Sequence, residues 1–204
     1  MKLQKTALLL FTLFTITICG QTEKGNIFIG ASSNLNTSFI NYSSKSDNSS
    51  KVEHGKGNSF SLSPKIGFLL IDNLVFGAGI DLGFGSFESQ QGGGESKSTS
   101  LSFSPFTRYY FLEGEFKPFL NAKYSFGSNK NTFINQNGND SESKSSNNTL
   151  ELGGGVSYFI NEIISIELGI NYTRNSAKQT DNNPANIRNI TSGITSAIGF
   201  AIFL

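Results

Sequence analysis

Six ionisable residues, Lys65, Asp81, Arg108, Lys123, Glu151 and Glu167, sit in stretches that otherwise alternate large apolar residues with glycine, serine and asparagine. All six fall on the polar side of that alternation, and the three cations match the three anions. Such groups can pair and, with neighbouring hydroxyls and amides, fill the inside of a fold. Lining a wet bore, they would instead make a narrow or gated path for small solutes. Other chemistry lacks the groups it needs. The one histidine, His54 in SKVEHGKG, has only Glu53 beside it as a potential co-ligand. No G-x-S-x-G elbow accompanies the many serines, and neither GGG run, at 92–94 or 153–155, leads into Lys-Ser/Thr at the head of a helix. Asp140 and Glu142 fit no standard calcium loop. No catalytic, cofactor-binding or metal-binding residue is therefore assigned, and no enzyme activity is expected.

The elements that carry the six ions have a period of two. In LVFGAGIDLGFGSF, Leu74, Phe76, Ala78, Ile80, Leu82 and Phe84 alternate with Gly77, Gly79, Asp81, Gly83 and Gly85. The same pattern recurs in seven other segments, which begin near Ile27, Phe60, Leu101, Leu120, Leu150, Ile164 and Ile190. Eight strands follow. Long polar gaps at 43–57, 88–98, 128–148 and 175–187 alternate with tight turns at 72–73, 113–115 and 161–162. Both ends of the strand array then lie on the short-turn side. Register across the 72–73 turn must pair inward residues with inward residues, which predicts a Lys65–Asp81 ion pair, opposite or diagonal. Lys123 and Glu151, on adjacent strands, form a second expected pair.

Alternation alone leaves open which face points outward. A soluble lipocalin-like binder would turn the apolar face inward, and a membrane barrel turns it outward. Glycine decides for the second, because it crowds the polar face and eight strands leave an interior just wide enough for side chains. Aromatic residues agree. Phe39, Phe60, Phe84, Phe126 and Tyr172 lie near the long-loop ends of the apolar face, and Phe68, Phe76, Tyr109, Phe111, Tyr158 and Phe200 near the other ends. Phe60 and Phe68 are eight residues apart, as are Phe76 and Phe84. At roughly 40° of tilt that separation is on the order of 20 Å, close to the height of a lipid-facing band between aromatic girdles. The chain finishes AIGFAIFL, with Phe200, Ile202 and Leu204 on the apolar face.

With this plan the chain resembles the small outer-membrane β-barrel family common in Bacteroidetes-type bacteria, similar to the OmpX group and to the membrane domain of OmpA. The resemblance covers residues 25–204 and rests on pattern. It implies an eight-stranded antiparallel up-and-down transmembrane barrel in the outer membrane of a Gram-negative cell, with periplasmic termini and four long extracellular loops. It further implies that Phe200, Ile202 and Leu204 act as the signal read by the barrel-assembly machinery, although the usual last residue is aromatic. No peptidoglycan-binding domain is expected after the eighth strand.

Composition and address agree with this reading. Of 204 residues 19 are Phe and none Trp, and 16 basic residues against 15 acidic ones imply no nucleic-acid partner. Residues 1–20 read as a signal peptide, with Lys2 and Lys5 ahead of an apolar run at Ala7–Ile18 that is too short to span a bilayer. Cleavage near Gly20 leaves residues 21–204 as the barrel domain. Cys19 raises a lipoprotein alternative, but ITIC lacks the small residue usual before a lipidated cysteine. Expected partners are outer-membrane lipid, the assembly machinery and an unidentified surface ligand of the loops, for a monomer without cofactors. The leading reading is a plugged barrel with a structural or surface-interaction role. The alternative is a small-solute permeation barrel.

Overall fold

The computed structural model describes residues 22–34, 39–44, 52–89, 94–135, 140–180 and 188–204. The signal peptide expected at 1–20 and the side chains of Phe39 and His54 lie outside this description. The strands are β1 (Ile27–Asn34), β2 (Phe39–Ser44), β3 (Val52–Ile71), β4 (Leu74–Ser89), β5 (Gly94–Tyr110), β6 (Phe116–Asn135), β7 (Ser141–Phe159), β8 (Ile164–Gln179) and β9 (Arg188–Phe203). From β2 onward each pairs antiparallel with its neighbour in sequence, β9 returns to β1, and both β1 and β2 lie along β3. The wall therefore has eight strand positions and closes on itself. Closure leaves no sheet edge unpaired in lipid, which is what allows strands to span a membrane at all.

Hydrogen-bonded partners trace the tilt. From Phe203 the rungs run through Phe28, Gly67, Gly77, Phe106, Lys123, Glu151 and Thr173 to Gly193 on the starting strand. The path comes back ten residues along β9, from 203 to 193. For eight strands that stagger sets a tilt of roughly 40° and a backbone radius of roughly 8 Å. A bore this narrow is filled by side chains. Gly67 and Gly77 face each other across one rung, and a Cβ at Gly77 would stand 2.6 Å from the Gly67 Cα and 2.8 Å from Phe106 Cε1. A Gly77→Val barrel is expected to lose about 3 kcal/mol or more to overpacking. Gly193→Val, where a Cβ meets nothing within 4 Å, is expected to lose far less. Urea unfolding in detergent micelles compares the two.

The apolar face points out. Phe60, Phe84, Phe126 and Tyr172 on the long-loop side, and Phe68, Phe76, Tyr109, Phe111, Tyr158 and Phe200 on the short-turn side, all expose their rings on the outer wall. Leu204 is also exposed and Ile202 half-buried, while Ala201 and Phe203 turn inward. Tight turns form where expected. Asn73 takes a left-handed φ of 67° in the Asp72–Asn73 turn. Asn161 Oδ1 accepts from the backbone N–H groups of Ile163 (2.9 Å) and Ile164 (2.7 Å).

The long gaps are shorter than their composition indicates. The segment expected as a loop at 128–148 is mostly strand, with β6 running to Asn135 and β7 starting at Ser141. At the other gaps β2 runs to Ser44 and β3 starts at Val52, β4 runs to Ser89 and β5 starts at Gly94, and β8 runs to Gln179 and β9 starts at Arg188. Backbone ladders need no apolar side chains, so polar strands continue beyond the lipid-facing band as a collar. Phe133, in this collar, lies over Gly94.

Candidate functional site

Inward-facing side chains form three tiers between the short-turn end and the collar. The lowest is apolar. Phe28, Leu69, Val75, Phe106, Tyr110, Phe119, Phe159, Ala201 and Phe203 make one buried cluster. Rings meet at 5.3 Å (Phe159–Phe203), 5.5 Å (Phe28–Phe203) and 5.8 Å (Phe28–Phe106, Tyr110–Phe119 and Tyr110–Phe203). Beneath it the residues before β1 fold across the opening. Lys117 Nζ donates to Thr22 Oγ1 at 2.8 Å, Asn73 N donates to the Thr22 carbonyl at 2.7 Å, and Gly25 N donates to the Leu69 carbonyl at 2.9 Å.

The middle tier is one ion pair. Arg108 Nη1 lies 2.5 Å from Glu167 Oε1, with both side chains almost fully buried at 6% and 5% exposure. The Tyr110 hydroxyl accepts from Arg108 Nη1 and donates to Glu167 Oε1, each at 3.1 Å. Ser157 Oγ also reaches Glu167, at 3.4 Å. The guanidinium stacks 4.1 Å from the centre of the Phe119 ring. Charge, hydroxyls and ring faces thus surround Arg108, which suits a planar, weakly hydrated cation.

Above it Lys123 bridges two carboxylates, 3.4 Å from Asp81 Oδ1 and 3.2 Å from Glu151 Oε2. Ser104 and Ser125 donate to Asp81 Oδ2 at 2.7 and 2.8 Å. The expected Lys65–Asp81 ion pair does not form. Lys65 stands opposite Gly79, which leaves Asp81 diagonal to it, and the carboxylate turns across β5 to Lys123 instead. Lys65 has no ion pair among the described residues; its Nζ lies 5.9 Å from the centre of the Phe106 ring. A cavity of about 50 Å³ lies among these tiers, lined in part by Lys65, Asp81, Arg108, Lys123, Glu151 and Glu167. Among the described residues no group of three or more His, Cys, Asp or Glu could hold a metal ion.

The six ions named from sequence therefore share one bore. Sequence reasoning missed the partner of Arg108, the inward aromatic tier, and the contact of Lys117 with Thr22. A signal was available for the second. Phe106 and Tyr110 have the parity of Ser104 and Arg108, and Phe119 has that of Asn121 and Lys123, which marks these rings as inward.

Residues 6–197 match the family model described as outer membrane protein beta-barrel domain. A search of curated proteins gave no match. Among solved structures, the chain is similar to neisserial surface protein A (TM-score 0.47, 21% identity, covering 88% of this chain and 99% of that one). It is also similar to Ail, the attachment invasion locus protein of Yersinia pestis (0.43, 15%, 89% and 99%), and to OprG of Pseudomonas aeruginosa (0.39, 16%, 91% and 99%). The family match spans nearly the whole wall, from before β1 into β9, and the chain belongs to the outer membrane protein beta-barrel domain family.

Proposed function

We propose that this outer-membrane barrel does not conduct, that its interior serves stability, and that contacts with its surroundings are made by the collar and tips at the long-loop end. In this reading the short turns and both termini face the periplasm. The observation that carries it is the stacked closure of the bore: the aromatic tier, the Arg108–Glu167 pair, and Lys123 held between Asp81 and Glu151. The cavity of about 50 Å³ among these tiers has room for on the order of one to three waters, too little for a passing solute, and the wider space of about 250 Å³ beside Ser59, Ser61, Gly83 and Ser100 lies nearer the long-loop end.

Purified protein reconstituted in planar bilayers is expected to leave the baseline current unchanged. Discrete steps of reproducible size would overturn this reading in favour of small-solute permeation.

A further inference from the structure

Charge on the outer wall of the collar is unevenly shared. Beyond the upper aromatic residues, the outward positions of β6–β9 carry Lys130, Lys144, Arg174, Lys178 and Arg188 against Glu142 alone. On β3–β5 the outward charges balance, Lys56 and Lys97 against Glu88 and Glu95, and Lys97 lies 3.0 Å from Glu95.

Two rungs of β6–β9 set like charges directly opposite each other, Lys130 against Lys144 and Lys178 against Arg188. Directly opposed like charges destabilise a sheet. Glu142 relieves the first rung, lying 2.6 Å from Lys130 and 3.0 Å from Lys144. Hydrogen bonds from those two lysines hold its carboxyl below the usual carboxylate range, which keeps it ionised. Arg174, Lys178 and Arg188 have no ion pair among the described residues. Lys178 stands opposite Ser146, one step diagonal from Lys144, so the two rungs form a single surface.

Height identifies what this surface meets. Arg174 and Lys178 continue the outward row of Tyr172, about 5 and 15 Å beyond it along the barrel axis. The hydrocarbon band ends near Tyr172, so the cations stand at the level of lipid headgroups and the zone just outside them. We propose that the outer wall formed by Lys144, Arg174, Lys178 and Arg188 is a docking surface for a phosphate-bearing glycolipid of the outer leaflet, acyl chains against the apolar band and phosphates against the cations. The outer-leaflet assignment rests on the orientation proposed above; the phosphate chemistry does not.

The test titrates a diphosphorylated acyl disaccharide lipid into the full-length protein in neutral detergent, counting bound lipids by native mass spectrometry. Wild type is expected to bind in a salt-dependent manner, and the dephosphorylated form of the same lipid to bind weakly. The Lys178→Gln/Arg188→Gln double variant is expected to bind about thirtyfold more weakly. The Lys178→Arg/Arg188→Lys swap is expected to bind like wild type, which separates charge from folding. Undiminished binding by the glutamine variant, equal binding of the dephosphorylated lipid, or displacement by millimolar inorganic phosphate would each overturn the proposal. Thr180→Cys in intact cells is expected to react with a membrane-impermeant maleimide. Failure to react would overturn the orientation and with it the outer-leaflet assignment, while the phosphate titration would stand.

Discussion

Replacing Glu167 with Leu is expected to destabilise the barrel by about 3–5 kcal/mol, because it leaves the Arg108 guanidinium buried without its counter-charge. The pair sits among Tyr110, Ser157 and the Phe119 ring, beside a cavity with room for only a few waters, which cannot replace a full counter-charge. The companion Arg108→Met/Glu167→Leu protein is expected to recover most of that loss, since removing both ions also removes the cost of burying them. Tyr110 keeps a small deficit, because its hydroxyl has both partners in this pair. Urea midpoints in micelles decide the matter. A Glu167→Leu protein as stable as wild type would show that the pair contributes nothing to holding the bore together.

Phe28→Ala carries a comparable penalty, about 3–5 kcal/mol, for a different reason. Its ring is fully buried, meets Phe106 and Phe203, and lies 5.5 Å from the Arg108 guanidinium. Truncation opens a cavity where three walls meet and no neighbour can move in, because β1 is held by β3 on one side and β9 on the other. Phe68→Ala is the control. That ring is 55% exposed on the outer wall, and its loss is expected to cost much less in detergent, which fills the space. Equal losses for the two variants would mean that the inward tier is not a packed core.

Particular residues show how far the sequence could be read. The outward rows, from Phe60 and Phe84 to Phe68 and Phe76, follow from period two and from the narrowness of eight strands. The inward placement of Asp81 and its five companions follows from the same parity. One pairing does too, Lys123 with Glu151 on the adjacent strand, but the others do not. Arg108 on β5 meets Glu167 on β8, and Asp81 on β4 meets Lys123 on β6, across strands that are not neighbours. Such meetings depend on the stagger of the ring, which is fixed by all the registers together and by no single hairpin. Lys65–Asp81 was the natural expectation because only adjacent strands can be ranked from a turn.

The inward rings were hidden for another reason. A two-letter pattern assigns every phenylalanine to lipid, whereas Phe106 and Phe119 keep the inward parity of their strands and close the lower bore. Strand ends were hidden too, because the change from apolar to polar residues marks the limit of the hydrocarbon and not the limit of the ladder. Lys130 and Lys144, expected in a loop, are paired on adjacent strands for that reason.

The rung between Phe28 and Phe203 has a consequence for how this molecule comes into being. It joins the most distant strands in the chain, so the loop that must be closed to make it is nearly the whole domain, and loop closure of that span is slow. Hairpins such as β6–β7 can zip as soon as they are delivered, but until the last rung forms the sheet keeps two raw margins. Insertion must therefore end with one late, cooperative latch.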